Sequence, residues 1–205
     1  MDEAKKERFD SAQSDGLTAS DKEYLLSLAR EAVTRYLSEG LRISGRAESL
    51  SPAARGKRGC FVTLLKDGKL RGCIGYLQPR SELCDCVIEN AINAAFHDTR
   101  FPTPVGSNEL ALINFEISVL TEPEKLQVQD REELLDHLAA GKDGVVLVQG
   151  RQQATFLPQV WEHFPDAESF LQALCRKGGM PYGCWRHQDT DIYTYRAIVF
   201  GEENR

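Results

Sequence analysis

The stretch that decides the fold is residues 60–76, CFVTLLKDGKLRGCIGY. Two runs rich in aliphatic and β-branched residues, Cys60 to Lys66 and Leu70 to Tyr76, flank Asp67-Gly68-Lys69. An Asp-Gly pair between two such runs is a strong signal for a β-hairpin, because glycine readily adopts the positive φ of a tight turn. The segment therefore predicts two antiparallel strands.

The second of these strands carries the residues that most resemble a chemical site. Arg71, Cys73 and Gly75 share one face of it, because successive side chains in a strand point to opposite sides. Glycine in a strand favours close approach, so Gly72 and Gly75 predict an open surface for a ligand or for another chain segment. A nearby arginine favours the thiolate, which makes Cys73 a candidate nucleophile or ligand supported by Arg71. The alternative is simple packing, because free cysteine is among the most buried residue types.

The flanking segments extend this to an α+β pattern. Ser20-Asp21-Lys22-Glu23 has the form of a capping box and predicts a helix that ends at Gly40. A second helix is predicted from Ser81 to about Asp98. Leu110 to Leu120 alternates apolar and polar residues, which predicts a strand with one apolar face.

The second half of the chain repeats this order of elements. A second hairpin is predicted from the runs Val145 to Gln149 and Gln153 to Leu157. A helix from Asp166 to Lys177 and a long strand from Asp191 to Phe200 are predicted after it. Two β-β-α-β units, residues 59–120 and 144–200, lie roughly 80 residues apart and indicate an internal duplication that closes into one mixed sheet. A further helix, Glu132 to Ala140, is predicted to link them. Residues 1–19 are predicted to form a mobile arm, 20–201 the domain and 202–205 a tail.

Composition narrows the class of protein. The 205 residues are 41% hydrophobic and 27% charged, an ordinary globular mixture. The net charge of -6 argues against a general nucleic-acid binder, because such proteins contact phosphates through clustered basic residues. No apolar run approaches the ~20 residues of a membrane span, and the charged N-terminus does not resemble a signal peptide. We therefore expect a cytoplasmic protein that contacts neither nucleic acid nor membrane, with its six cysteines as free thiols.

Metal and further site patterns are sparse. The chain has no C-x-x-C, and Cys84 and Cys86 lie about 200° apart around a helix, so no metal site is predicted. Glu116 lies mid-strand between apolar residues and requires solvent or a partner, for which Arg71 or Arg100 are the candidates. Cys175 is expected to pack on the buried side of its helix.

Residues 70–75, LRGCIG, resemble the six-residue hallmark of the AMMECR domain family. Further segments resemble that family in the same order: 59–64 (GCFVTL), 94–102 (AAFHDTRFP), 116–120 (EISVL), 141–144 (GKDG), 157–160 (LPQV) and 174–181 (LCRKGGMP). The resemblance covers roughly residues 20–201. Several ordered motifs are more specific than one, so the chain is identified as a member of this family.

The resemblance implies a fold with a barrel-like, mainly antiparallel sheet, helices outside it and a smaller N-terminal helical subdomain. In bacteria it implies a component of the AmmeMemoRadiSam system, with a Memo-type protein and a radical S-adenosylmethionine protein as partners. It identifies no reaction and no cofactor, and a non-catalytic interaction module is the alternative to a Cys73-centred activity. The positions it implies for a cleft are Arg71, Gly72, Cys73, Gly75, Asp98, Arg100, Glu116 and Cys175.

Two distances follow as expectations. Cys73 should lie within about 10 Å of Asp98, Arg100 or Glu116, a range over which a charge still acts on a thiol. Arg71 should meet Glu116 or Asp98, because an unpaired guanidinium is costly to bury.

Overall fold

A computed structural model of the chain describes residues 16–52, 54–78, 80–128, 130–131 and 133–202. Most of the predicted arm and tail lie outside these residues, so both stay predictions. The chain divides into two compact units: unit 1 comprises Met1–Val119 and Ile198–Arg205, and unit 2 comprises Leu120–Ala197. No helix in the described part of the chain combines the length and apolar composition that a membrane crossing requires.

Unit 1 contains the predicted hairpin and two long helices. Its elements are α1 (Ala19–Glu39), β1 (Cys60–Lys66), β2 (Lys69–Tyr76), α2 (Leu83–Phe96), α3 (Ser107–Leu110), β3 (Ile113–Leu120) and, from the end of the chain, β8 (Ala197–Gly201). The strands form a four-stranded sheet in the order β2-β1-β3-β8, with β1 antiparallel to both β2 and β3.

One face of this sheet forms the core of unit 1. Every second residue of β3 from Ile113 to Val119 is fully buried, which confirms the predicted apolar face. Ala111, which lies within the predicted strand from Leu110 to Leu120, is exposed because the strand begins only at Ile113. The N-terminal helix α1 packs on α2 in this core.

The helix starts differ from the sequence prediction. Thr18 caps α1, because its side chain accepts from the Asp21 N–H while Asp21 accepts from the Thr18 N–H. Asp21 also accepts from the backbone N–H and the hydroxyl of Ser51, which connects the start of α1 to the segment before β1. Ser20 is therefore not the cap, although Gly40 ends the helix with φ 68° as predicted. Helix α2 begins at Leu83, two residues after its predicted start at Ser81, and no side chain caps it.

Unit 2 holds the second repeat. Its elements are β4 (Glu124–Lys125), α4 (Leu134–His137), β5 (Gly144–Gln149), β6 (Gln152–Phe156), α5 (Ala167–Lys177) and β7 (Thr190–Tyr195). The predicted strand from Asp191 to Phe200 is divided at Arg196 into β7 and β8. The reason is that the Arg196 backbone N–H and C=O both bind Thr121.

The two repeats share one strand topology. In each, the third strand pairs with the first strand of the hairpin, as β3 does with β1 and β7 does with β5. The orders β2-β1-β3-β8 and β6-β5-β7-β4 are therefore equivalent. The repeated order is confirmed, but the prediction of a single barrel-like sheet is wrong, because the described strands form two open four-stranded sheets. The strand after β3, which is β4, pairs in the second sheet, and the strand after β7, which is β8, pairs in the first.

Candidate functional site

Three polar residues form a row across the sheet of unit 1. Cys73 on β2 lies opposite Thr63 on β1, and Thr63 lies opposite Glu116 on β3. All three are half-buried and occupy the face opposite the apolar core. The Thr63 hydroxyl donates to the Cys73 sulfur at 3.4 Å.

The segment that follows α2 binds the backbone of Cys73. The Asp98 carboxylate accepts from the Cys73 N–H at 2.9 Å, and the Arg100 guanidinium donates to the Cys73 carbonyl at 2.7 Å. The expected proximity of Cys73 to Asp98 and Arg100 is thus confirmed. We call Thr63, Cys73, Asp98, Arg100 and Glu116 the Cys73 group.

Two members of the group, Asp98 and Arg100, form an ion pair. Arg100 donates to the two Asp98 carboxylate oxygens at 2.9 and 2.7 Å. The Asp98 side chain is only 3% exposed, whereas that of Arg100 is 55% exposed. The Arg100 hydrogen bonds, helped by the Cys73 N–H, outweigh burial and lower the pKa of Asp98 to about 2. The same pairing raises the pKa of Arg100, so a permanent positive charge lies beside Cys73 and reaches solvent.

Arg71 does not join this group. Its guanidinium binds the Glu109 carboxylate at 2.7 Å and the Thr103 carbonyl at 2.9 Å. The expected pairing with Glu116 or Asp98 is therefore wrong. The register between β1 and β2 shifts between Leu64 and Leu65, which leaves Arg71 in a β-bulge, and a bulge redirects the side chain.

The sequence did not indicate Glu109 and Thr103 as partners of Arg71, because they lie in the segment between α2 and β3, where no periodicity predicts structure.

Phe101 follows Arg100 directly and lies near both Arg71 and Arg100. The guanidinium carbons of Arg71 and Arg100 are 5.8 and 5.9 Å from the centre of its ring. The Phe101 ring therefore lies close to both guanidinium groups.

The two strand glycines serve packing. A Cβ at Gly72 would lie 2.2 Å from the Ala94 carbonyl oxygen of α2, and one at Gly75 would lie 2.3 Å from the Phe61 ring. The sequence predicted close approach of a ligand or of another chain segment at these glycines, and the structure shows chain segments there. Neither glycine offers space for a ligand on the side where its Cβ would project.

Cys175 belongs to unit 2, whereas the Cys73 group belongs to unit 1. Its sulfur is fully buried in the core of unit 2 and forms a disulfide with Cys184, with 6.0 Å between the two Cα atoms. The expectation of free thiols is wrong for this pair, because the turn at Gly179 (φ 67°) returns the chain to the buried face of α5. Cys60, Cys73, Cys84 and Cys86 are free. The spacing of Cys175 and Cys184 around three glycines and a proline was the available signal.

The described residues contain no group of three or more histidine, cysteine or acidic side chains arranged to hold a metal ion. The Cys73 group itself places a half-buried thiol next to a guanidinium that Asp98 holds in position. Such a pair can bind an anionic group and direct the sulfur at an atom next to it.

Comparisons with known proteins agree with the motifs. The AMMECR1 family profile matches residues 26–200. Protein MK0488 of Methanopyrus kandleri is 40% identical over 190 residues, covering 91% of each chain, and a protein of Methanothermobacter thermautotrophicus is 41% identical over 182 residues, covering 87% of this chain and 93% of its own. The crystal structure of the uncharacterised protein PH0010 from Pyrococcus horikoshii has a TM-score of 0.77 and 35% identity, covering 92% of this chain and 95% of that one. Because these matches extend over almost the whole chain, it belongs to the AMMECR1 family.

Proposed function

We propose that the chain is the A component of an AmmeMemoRadiSam system, and that its Cys73 group binds a small anionic molecule and presents it to the Cys73 sulfur. Its partners in this proposal are a Memo-type protein and a radical S-adenosylmethionine protein. The hallmark at residues 70–75 supports the choice of system. The observation that carries the site is the buried Asp98 carboxylate, which holds the exposed Arg100 guanidinium beside Cys73.

Arg100 has the role that the sequence suggested for Arg71. Arg71 is neutralised by Glu109, and both side chains are mostly buried. Arg100 is paired with Asp98 on one side and keeps more than half of its surface in solvent, so it can still accept an anion. A carboxylate or phosphate bound there would place its neighbouring atoms near the sulfur.

Alkylation with matched reagents tests this site. Iodoacetate and iodoacetamide react with a thiol in the same way, the sulfur displacing iodide from the CH₂ carbon, but only iodoacetate is an anion. Arg100 should raise the iodoacetate-to-iodoacetamide rate ratio at Cys73 about 3- to 10-fold over that of a free cysteine peptide, because one charge a few ångströms away contributes about 1 kcal/mol. Peptide mapping assigns the label, and the other free cysteines are buried.

Two arginine variants make the test specific. Arg100→Gln should bring the ratio down to that of the peptide, whereas Arg71→Gln should leave it unchanged. A wild-type ratio equal to that of the peptide, or an unchanged ratio in Arg100→Gln, would rule out an anion site at Cys73.

A non-catalytic interaction module is the second candidate, favoured by a separate observation. The shortest hydrogen bonds of Cys73 use its backbone: Asp98 binds its N–H at 2.9 Å and Arg100 its carbonyl at 2.7 Å, while the Thr63 hydroxyl donates to the sulfur at 3.4 Å. Such an arrangement also serves to fix the segment 98–101 as a docking surface.

Co-purification with the two companion proteins separates the candidates. If Cys73→Ser retains partner binding and restores growth or metabolite levels to a deletion strain, the sulfur has no chemical role and the module is supported. Loss of the metabolic effect with partner binding intact would support chemistry at Cys73.

A further inference from the structure

A second pair of cysteines lies in the core of unit 1, away from the row that contains Cys73. Cys60 is the first residue of β1, and Cys86 is in the first turn of α2. Their sulfur atoms are 2.9 Å apart, and the residues are 0% and 2% exposed. Two sulfur atoms in simple van der Waals contact are farther apart than this, and the Cys60 thiol donates a hydrogen bond to the Cys86 sulfur.

Asn90 holds the pair together. It lies one helical turn after Cys86, and its side-chain N–H₂ donates to the Cys86 sulfur at 3.2 Å, to the Cys60 sulfur at 3.4 Å and to the Cys60 carbonyl at 3.0 Å. Its side-chain oxygen is buried and has no hydrogen-bond partner among the described residues. The amide is therefore oriented by the sulfurs and the Cys60 carbonyl.

The two thiols are not equivalent. The hydrogen bond to Cys86, together with burial, raises the pKa of Cys60 well above its ordinary value, so Cys60 keeps its proton. The hydrogen bond received from Cys60 lowers the pKa of Cys86, even though burial acts in the opposite direction. The position of Cys86 near the N-terminus of α2 also favours negative charge there. Cys86 is thus the sulfur that more readily carries negative charge.

We propose that Cys60 and Cys86 form a redox-active dithiol site that a small peroxide converts to a disulfide. The Cys86 sulfur attacks one peroxide oxygen, the O–O bond breaks, and a sulfenic acid and one water are formed. The Cys60 sulfur then attacks the Cys86 sulfur, the S–S bond forms, and the sulfenic oxygen leaves as a second water with the Cys60 proton. Two electrons pass from the two sulfurs to the peroxide, and a thiol reductant reverses the step.

A small peroxide is the class of oxidant that suits a buried pair. Hydrogen peroxide is little larger than water and can reach the pair through local opening of the helix, whereas a bulky disulfide cannot. The product would cross-link β1 to α2, the helix that leads into Asp98 and Arg100. This site is separate from the proposed Cys73 chemistry and does not depend on it.

Cys84 provides a matched control on the same helix. It is buried two residues before Cys86 and, like it, is free. Burial raises its pKa to about 11, and no second sulfur lies within hydrogen-bond distance in the described residues. Cys84 therefore tests whether burial on α2 is enough for oxidation or whether the paired geometry is needed.

The experiment treats the folded full-length chain with hydrogen peroxide at a dose that oxidises half of Cys73. The sample is then quenched, denatured, alkylated and digested for mass spectrometry. We expect a Cys60–Cys86 cross-linked peptide that is lighter by two hydrogens than the reduced pair and is lost on treatment with a thiol reductant. Its formation should also raise the urea midpoint of unit 1, because a cross-link constrains the unfolded chain.

Variants make the outcome specific. Cys84→Ser should retain the cross-link, and Cys60→Val should abolish it and leave Cys86 to progress to sulfinic acid. If Cys60→Val does not fold, the wild-type peptide map decides alone. Recovery of Cys60 and Cys86 as alkylated thiols at that dose, or a cross-link from either to a different cysteine, would overturn the proposal.

Discussion

Asp98 accepts four hydrogen bonds, one from the backbone N–H of Cys73 and three from Arg100. A carboxylate as buried as this one retains its charge only where donors replace the lost water. The residue therefore connects β2 to the segment after α2 and holds the cation of the Cys73 group. Its contribution can be measured separately from any activity.

We predict that Asp98→Asn lowers the free energy of unfolding by about 1 to 2 kcal/mol at pH 7. The pKa of Asp98 is about 2 in the folded chain, below its value of about 4 in the unfolded chain. Its stabilisation is therefore complete above about pH 4 and disappears as the pH falls towards 2. The difference between wild type and variant, from urea unfolding at several pH values, should shrink to near zero over that window.

Glu116→Gln serves as the control, because it removes a half-buried carboxylate from the same face of the sheet. Two results would contradict the role assigned to this charge. One is an Asp98→Asn variant whose free energy of unfolding at pH 7 equals that of the wild type, and the other is a difference between the two proteins that persists at pH 2.

At the scale of elements, the start of α1 shows how a helix chooses between two possible caps. Thr18-Ala-Ser-Asp21 and Ser20-Asp-Lys-Glu23 both have capping-box spacing. Only the first lies where its acidic residue can also bind Ser51, and Asp21 is buried as a result. The tertiary contact therefore selects the earlier cap.

Thr18→Ala should lower the free energy of unfolding of the chain by about 1 kcal/mol, because the Asp21 N–H loses its acceptor. Ser20→Ala should change it by less than about 0.5 kcal/mol, because Ser20 is exposed within the first turn. Urea unfolding at neutral pH measures both. Equal losses of unfolding free energy in the two variants would contradict the assignment of Thr18 as the cap.

At the scale of the whole molecule, the unfolding of unit 2 can be followed by a fluorescence probe of its own. Both tryptophans of the chain, Trp161 and Trp185, lie in unit 2, and both are buried. Trp161 stacks on Phe170 with ring centres 3.8 Å apart. The Cys175–Cys184 disulfide lies in the same core. Tryptophan fluorescence therefore reports the unfolding of the unit that the disulfide stabilises.

Reduction of the disulfide should lower the free energy of the tryptophan-detected transition by about 2 to 3 kcal/mol, the entropic contribution expected for a sequence separation of 9 residues. Urea titrations with and without a phosphine reductant measure the change, and thiol counting shows that the bond has opened. Cys84→Ser, which removes a thiol from unit 1, should not reproduce it. An unchanged transition after complete reduction would show that the bond adds nothing to unit 2.

Much of the secondary structure could be predicted from the sequence because it depends on local patterns. The hairpin at residues 60–76, the apolar face of β3 and the two β-β-α-β units each follow from periodicity and turn residues. The residue motifs also identified the family and brought Asp98 and Arg100 into the candidate site. These features depend on contacts between residues close in sequence or on ordered motifs, and both can be recognised in the amino-acid sequence itself.

The partners of the site residues were decided only by the tertiary structure. A bulge turned Arg71 to Glu109, Gly72 received the backbone of α2, and Cys175 found Cys184 in the core of unit 2. The division into two sheets likewise depended on where the strand from Asp191 broke. Each of these outcomes depends on register or on packing between segments far apart in sequence, where a shift of one residue moves a side chain to the opposite face. The local sequence therefore determined which elements form, and long-range packing determined which side chains meet.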